Sequence, residues 1–236
     1  MSELDDLKQW LKDTEEEPLE EMTAFFSARL GGYEAHMSHW KKSYERLGLL
    51  IPDGVTKLLD LGCGTGLEID EIFKRHPDIS ITGIDLSNDM LQVLRGKYTD
   101  RKLTLIQGDY FTEPFDEKQY DMVISFETLH HFKPEKKAAL FKKIYRCLRE
   151  GGSYLQADYL ADNDEWETLL MTECERRRKR QGIPEDVFVH FDTPLTAEHE
   201  IALLRGAGFS DVKELEEWDE DEPAMIWAFK KNNEPG

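Results

Sequence analysis

Between residues 55 and 160, short runs of apolar and β-branched residues alternate with stretches whose apolar positions recur every third or fourth residue. The runs at 55–61, 79–85, 103–107, 121–126 and 153–160 read as strands. Helical spacing fills the stretch after 61 to about residue 75, and again 87–97 and 134–149, while a loop follows 107. The strand runs are apolar on both faces instead of alternating, which predicts a parallel sheet covered by helices and linked by right-handed crossovers. Ser87 with Asn88 and Asp89 makes a good helix start, because short polar side chains cap free amides. Near the end, runs at 209–215 and 224–230 flank Trp218-Asp219-Glu220-Asp221-Glu222-Pro223. A connection that short requires antiparallel pairing, with an acidic tip facing solvent.

Before residue 52 the pattern is helical. Met22, Phe25, Phe26 and Leu30 share one face of a helix over 20–30, which Gly31-Gly32 is expected to stop. Tyr33, His36, Met37, Trp40, Tyr44 and Leu47 then mark a second helix, and Ile51-Pro52-Asp53-Gly54 forms a turn. The expected organisation is an N-terminal helical cap over 1–51 and an α/β domain over 52–236. Within that domain, 162–205 is a charged helical insertion broken by Gly182-Ile183-Pro184 and Asp192-Thr193-Pro194.

Charge narrows the partners. Among 236 residues, 49 acidic against 30 basic side chains give a net charge of −19, which disfavours binding to nucleic acid and anionic membranes. The run Arg176-Arg177-Arg178-Lys179-Arg180 follows Glu173 and Glu175 at helical spacing and reads as a solvated helix face. No stretch approaches the ~20 apolar residues of a membrane span. The opening Met1-Ser2-Glu3-Leu4-Asp5-Asp6 has neither a basic nor an apolar targeting segment, so no signal peptide is expected. Three scattered cysteines, Cys63, Cys147 and Cys174, fit a reducing compartment, and a cytoplasmic location is expected. Monomer and homodimer are both compatible with this composition.

The most informative segment is Leu58-Leu59-Asp60-Leu61-Gly62-Cys63-Gly64-Thr65-Gly66-Leu67-Glu68, where an apolar strand runs into a glycine-rich turn and then a helix. Glycines let backbone approach a ligand, and a helix N-terminus presents amides to an anion. Dinucleotides and S-adenosylmethionine (SAM) both use this architecture. The dinucleotide spacing G-x-G-x-x-G is absent, since Leu67 stands where its third glycine would fall. Glu68 opens the helix, an awkward neighbour for a pyrophosphate. Asp60 is placed to meet an ammonium. Asp85, which ends the second strand about 20 residues later, is placed to accept from ribose hydroxyls, and Leu86 offers an apolar face to adenine. Gly108-Asp109-Tyr110 follows the third strand, and Ser125-Phe126-Glu127-Thr128-Leu129-His130-His131-Phe132 follows the fourth.

Taken in order, these segments and Leu148-Arg149-Glu150-Gly151-Gly152 resemble a class I (Rossmann-like) SAM-dependent methyltransferase over residues 52–232. The resemblance implies a doubly wound, mostly parallel α/β sheet of seven strands in the order 3-2-1-4-5-7-6, with strand 7 antiparallel. It implies SAM contacts at Asp60, Gly62, Gly64, Asp85, Leu86, Asp109, Tyr110 and Ser125, and in the same segments Cys63, Gly66, Met90, Gly108 and Phe126. SAM would be converted to S-adenosylhomocysteine (SAH) as its methyl passes in line to an O, N, S or C nucleophile of a small molecule.

His131, His130, Glu127 and His190, in that order, are candidate bases for an acceptor that arrives protonated. Tyr33, His36, Trp40, Tyr159 and Phe191 are expected to line the acceptor pocket, with Asp158 and Asp192 beside the last two. His36 and His39 are paired on one helix without a visible third ligand, so no metal is expected. Three alternatives remain: RNA methylation, a carboxy-SAM synthase-like conversion of SAM, and a non-catalytic SAM-binding regulator.

Overall fold

In the computed structural model, which describes residues 3–216 and 222–232, the apolar runs become a seven-stranded sheet in the order β3-β2-β1-β4-β5-β7-β6. The strands are β1 (Lys57–Leu61), β2 (Ser80–Asp85), β3 (Leu103–Gln107), β4 (Tyr120–Phe126), β5 (Leu148–Asp158), β6 (Asp211–Glu214) and β7 (Ala224–Phe229). All neighbours pair in parallel except β7, which runs antiparallel to both β5 and β6. The expected order and the antiparallel final strand are both present. The acidic tip falls mostly on 217–221, outside the described residues.

The helices are α1 (Glu3–Asp13), α2 (Met22–Met37), α3 (Lys41–Leu50), α4 (Leu67–Arg75), α5 (Asn88–Lys97), α6 (Pro134–Cys147), α7 (Asp164–Gln181) and α8 (Ala197–Ala207). They explain why the strand runs lack alternation: both faces of the sheet are covered. Successive residues of β1 point to opposite faces, so Leu58 packs with Ile69, Ile72, Leu91 and Leu94 of α4 and α5. Leu59 and Leu61 pack with Leu140, Phe141 and Ile144 of α6. Burying each such side chain is worth ~1.5–3 kcal/mol, so both layers are firmly held.

Polar side chains set several boundaries. The Ser87 hydroxyl accepts from the Met90 amide at 3.3 Å, as its sequence position predicts. Asn163 and Thr196 cap α7 and α8 in the same way.

Two boundaries differ from expectation. Gly31-Gly32 does not stop α2, which runs on to Met37 before a single 3₁₀ turn at Ser38–Trp40. Two interior glycines cost ~1 kcal/mol each relative to alanine. Phe26 packing edge-on against Tyr33 across the pair, and α2 lying along α5, offset that cost. Strand β5 begins at Leu148, before Gly151-Gly152 instead of after it, because Tyr120 of β4 pairs with Leu148 across an irregularity in register.

The charged insertion folds as α7, an extended return and α8. The return is tied to the N-terminal region: Met22 N–H donates to the Phe188 carbonyl at 2.9 Å, and His190 N–H to that of Glu20 at 2.9 Å. Phe191 joins Leu11, Leu170, Cys174 and Val189 in a small satellite core.

The four arginines of the basic run on α7 are engaged within the chain. Arg176 pairs with Glu173 and Glu15, and Arg180 with Glu16. Arg177 is buried against Glu173 and the Leu11 carbonyl, while Arg178 binds the carbonyls of Pro184 and Val187. These residues staple α1 and the return to α7; Arg176, Lys179 and Arg180 remain exposed as expected, while Arg177 is buried and Arg178 half-buried in the seam. Among the described residues no helix is long and apolar enough to cross a membrane.

Candidate functional site

The C-terminal ends of β1, β2 and β4 meet at the point where strand order reverses, the usual place for a ligand in an open α/β sheet. Gly62, Gly64 and Gly66 all have positive φ, which allows the sharp bend there. The bend is tight: a Cβ on Gly62 would lie 2.4 Å from the Thr128 hydroxyl, and one on Gly66 2.5 Å from Leu94. Only Gly64 has room, with the Tyr33 hydroxyl as nearest side chain at 3.6 Å.

The bend does not leave its amides bare, contrary to the expectation that they face an anion. Gly62 N–H and Cys63 N–H donate to the Ile84 carbonyl, and Gly64 N–H donates to Asp85 Oδ2 at 2.9 Å. Asp85 Oδ1 accepts from Ser87 N–H at 2.7 Å. Each carboxylate oxygen keeps a second lone pair for a ligand hydroxyl.

The unsatisfied groups at the bend are acidic. Asp60 is completely buried, and among the described residues its carboxyl has no neighbour to bond except the also buried carboxyl of Glu68. Burial raises its pKa well above the usual carboxylate range, with the charge of neighbouring Glu68 adding to the effect. Burial likewise pushes Glu68 up to about 7. Such a pair is short of one cation.

The structure brings Asp85, Leu86, Met90, Tyr110, Phe126, Gly62 and Gly64 together around the resulting cleft, and Thr128 and Ser87 join them. Its outer wall is α2, through Met22, Thr23, Phe26 and Tyr33. In this conformation the cleft encloses about 70 Å³, well below the ~300–1,000 Å³ of ligand pockets. Other predicted contacts lie elsewhere. Ser125 turns inward, its hydroxyl 2.7 Å from that of Tyr154. Asp109 closes its own turn by accepting from Phe111 N–H at 2.8 Å. Gly108 is covered by Glu113, and Cys63 packs against Gly83. None of these four residues lines the cleft, and neither do Asp60 and Gly66, which lie beneath it.

Adjoining it is a cavity of about 950 Å³. Phe26, Tyr33, Glu127 and His131 line both spaces and so form a shared wall. His36, Trp40, His130, His190 and Asp192 complete the larger cavity. Tyr159 lines a third opening of about 1140 Å³ that shares His39, Trp40, Glu127, His130 and Asp192. Phe191, expected in the acceptor pocket, is a correction: its ring lies in the satellite core with Arg177 over it at 5.3 Å. The alternation of side chains in the extended return sends His190 and Asp192 to the cavity and Phe191 away from it.

Titratable groups crowd this wall. Glu127 is held at φ +48°, an uncommon backbone for a glutamate, by its amide bonding the Ala157 carbonyl. His130 Nδ1 lies 2.5 Å from Asp158 Oδ1; because a carboxylate only accepts, that nitrogen carries the proton. Burial alone would depress His130, but Asp158, Glu127 and Asp192 together raise it to about 9. Burial lifts Glu127 to about 8, with His130 opposing. Burial and the charge of His130 lower His131, and burial takes His190 down to about 4. His190 stacks on Phe25 with ring centroids 3.5 Å apart. The importance of Asp158 and Asp192 as partners of His130 was not apparent in the sequence, where nothing marks their proximity.

Comparison with known proteins agrees with this geometry. The family model described as Methyltransferase domain matches residues 58–152. A carboxy-S-adenosyl-L-methionine synthase of Campylobacter fetus is 30% identical over 177 residues, covering 69% of this chain and 73% of its own. A malonyl-(acyl-carrier protein) O-methyltransferase of Priestia megaterium is 37% identical over 98 residues, 42% of this chain and 35% of its own. Among solved structures, human N-acetylserotonin methyltransferase in complex with SAM superposes with a TM-score of 0.65 at 22% identity. That match covers 90% of this chain and 59% of the other, a likeness of fold.

Proposed function

Because the chain belongs to the class I (Rossmann-like) SAM-dependent methyltransferase family, we propose that it transfers a methyl group from SAM to a nucleophile on a small molecule. The observation that carries this reading is the shared wall: a glycine-bend cleft and a larger cavity meet across Phe26, Tyr33, Glu127 and His131. A donor held on one side and an acceptor on the other would face each other there.

The residues present suit SAM. Asp85 offers free lone pairs to a ribose diol, Leu86 and Met90 an apolar face, and the buried Asp60–Glu68 pair a home for an ammonium. Admission requires the α2 side chains, Phe26 and Tyr33 first, to give way, since the cleft encloses about 70 Å³ as it stands.

When bound, SAM supplies a methyl on a positively charged sulfur, a good leaving group. The protein's part is to align the two reactants and exclude water. Tyr33 and Phe26 cover the bend, while the Glu127, His130, His131 and His190 side chains are those within reach of a proton on the acceptor.

The similarity to a carboxy-SAM synthase supports a second reading, modification of SAM itself. The cavity wall favours the first. It carries Glu127 and Asp192, and its one arginine, Arg29, is engaged by Glu20 at 2.7 Å. With Arg29 engaged, the wall offers an anionic co-substrate no free guanidinium, whereas its aromatic rings suit a neutral acceptor.

Calorimetry with SAM, SAH and NAD tests the cofactor. SAH should bind and NAD should not, and Asp85→Ala should weaken SAH about 10–100-fold, the loss of a hydrogen bond to a charged group. NAD binding without SAH binding would overturn the assignment. Methyl-labelled SAM with a panel of small acceptors, read by mass spectrometry, separates a methylated acceptor from a carboxylated SAM.

A further inference from the structure

We propose that His130 Nε2, His131 Nδ1 and a carboxylate oxygen of Asp192 form a binding site for a first-row divalent cation, with zinc the best match. Asp192 Oδ1 lies 3.2 Å from His131 Nδ1 and 3.5 Å from His130 Nε2, and the three donor atoms fall within 4.8 Å of one another. Bonds of ~2.0–2.2 Å in a tetrahedral site place neighbouring ligand atoms ~3.3–3.5 Å apart, so the two measured separations already match.

His131 and Asp192 are close enough to interact as a charged pair, but the line between them is poorly aligned for a hydrogen bond. His131 Nδ1 is badly aligned with its near neighbour, the Asp192 carboxylate, although its side chain is only 4% exposed. Donor atoms that sit side by side without pointing at each other are arranged as ligands of a common centre are. A buried imidazole nitrogen left without a well-aligned partner otherwise costs ~1–3 kcal/mol.

The surroundings are those of a metal centre. His130 Nδ1–H donates to Asp158, which turns Nε2 toward Asp192 and is the carboxylate–histidine arrangement that orients metal ligands; a bound ion takes the place of any proton on Nε2. Asp158 is itself held by the Leu129 and Tyr159 amides at 3.0 and 3.1 Å. The two segments that supply the ligands are locked together, because the Thr193 amide and hydroxyl both bond the His130 carbonyl at 2.7 and 3.2 Å. Asp158 and Asp192 flank the two imidazoles, with Glu127 3.9 Å from His130 Nδ1, so a bound ion meets acidic neighbours.

Two nitrogen donors select zinc, iron or nickel over magnesium and calcium, which prefer oxygen. The Asp192 side chain is 45% exposed and lines both large cavities, so coordination positions stay open toward them. If the methyl-transfer reading holds, a neutral oxygen of the acceptor would complete the coordination.

The test uses the full chain, stripped with a chelator and titrated with zinc chloride in the absence of SAM. One ion per chain should bind, and His131→Ala and Asp192→Asn should each weaken binding at least about tenfold, on the scale of lost ligand support. His199→Ala, in the exposed Asp164/Glu167/His199 cluster, should bind as wild type does. Cobalt(II) serves as a spectroscopic probe: its visible absorption should appear in wild type and His199→Ala and vanish in His131→Ala. Asp192→Asn, at a half-exposed position, carries the test if His131→Ala fails to fold.

Absence of zinc binding in wild type, or binding lost in His199→Ala and kept in Asp192→Asn, overturns the site. SAH binding, measured separately, keeps the two readings apart. Loss of zinc binding with SAH intact removes only the metal, and the reverse removes only the cofactor assignment.

Discussion

Replacing Lys137 with methionine removes half of an ion pair that solvent does not reach. Lys137 on α6 and Glu200 on α8 are both fully buried, with Nζ 2.9 Å from Oε1. The same oxygen accepts from Gln156 Nε2 at 2.6 Å, while Oε2 has no partner. In Lys137→Met the carboxylate keeps one neutral donor and no counter-charge. Breaking a buried pair in this way costs ~3–5 kcal/mol, because desolvation is no longer offset. At ~2–4 °C per kcal/mol for a domain of this size, the melting temperature should fall by ~6–20 °C.

The paired change Lys137→Met with Glu200→Leu removes both charges and should return to within ~1–2 kcal/mol of wild type or exceed it. Urea unfolding of all four proteins yields the coupling energy directly. A Lys137→Met loss below ~1 kcal/mol, or a double variant as unstable as the sum of the singles, would refute the account of this pair. Gln156 also reaches Asp158 Oδ2 at 3.4 Å, so the pair buttresses the strand that presents Asp158 to His130.

Three further outcomes are expected. Asp60 and Glu68 have raised pKa values, mainly through burial, Glu68 to about 7. The folded chain therefore holds protons that the unfolded chain has released, and stability should fall as pH rises from about 4.5 through about 7. Asp60→Asn should flatten that slope in melting curves, and an unchanged slope would remove the pair from the explanation. Gly62→Ala should be the harsher of two glycine substitutions, because its Cβ meets Thr128 at 2.4 Å, whereas Gly64→Ala bears only left-handed strain of ~1–2 kcal/mol; equal losses in urea would contradict this. Finally, Arg176, Arg178 and Arg180 changed together to glutamine should lower stability and leave tRNA retention at low salt no different from wild type, since these side chains tie α7 to its neighbours. Salt-sensitive tRNA binding that disappears in the variant would instead revive an RNA substrate.

Local order along the chain determined much of this protein. Strand runs without alternation, the bend after β1, Ser87 as a cap and Asp85 at the end of β2 depend on neighbours a few residues away, so they could be read directly. The hairpin of β6 and β7 followed from a connection too short for any other pairing. Tertiary structure alone decided which way side chains face once distant segments pack. Ser125 and Phe126 are adjacent, yet the first is drawn inward by Tyr154 and the second faces the cleft. Gly31-Gly32 stays helical because Phe26 and Tyr33 pack across it, a contact that outweighs local propensity. The histidine wall follows the same logic: His130 was visible as a candidate, but Asp158 and Asp192 reach it only because β5 pairs with β4 and the return docks on the loop that follows. Spacing encodes what one segment does by itself, whereas a site assembled from several segments exists only after the chain entropy separating them has been overcome by burial.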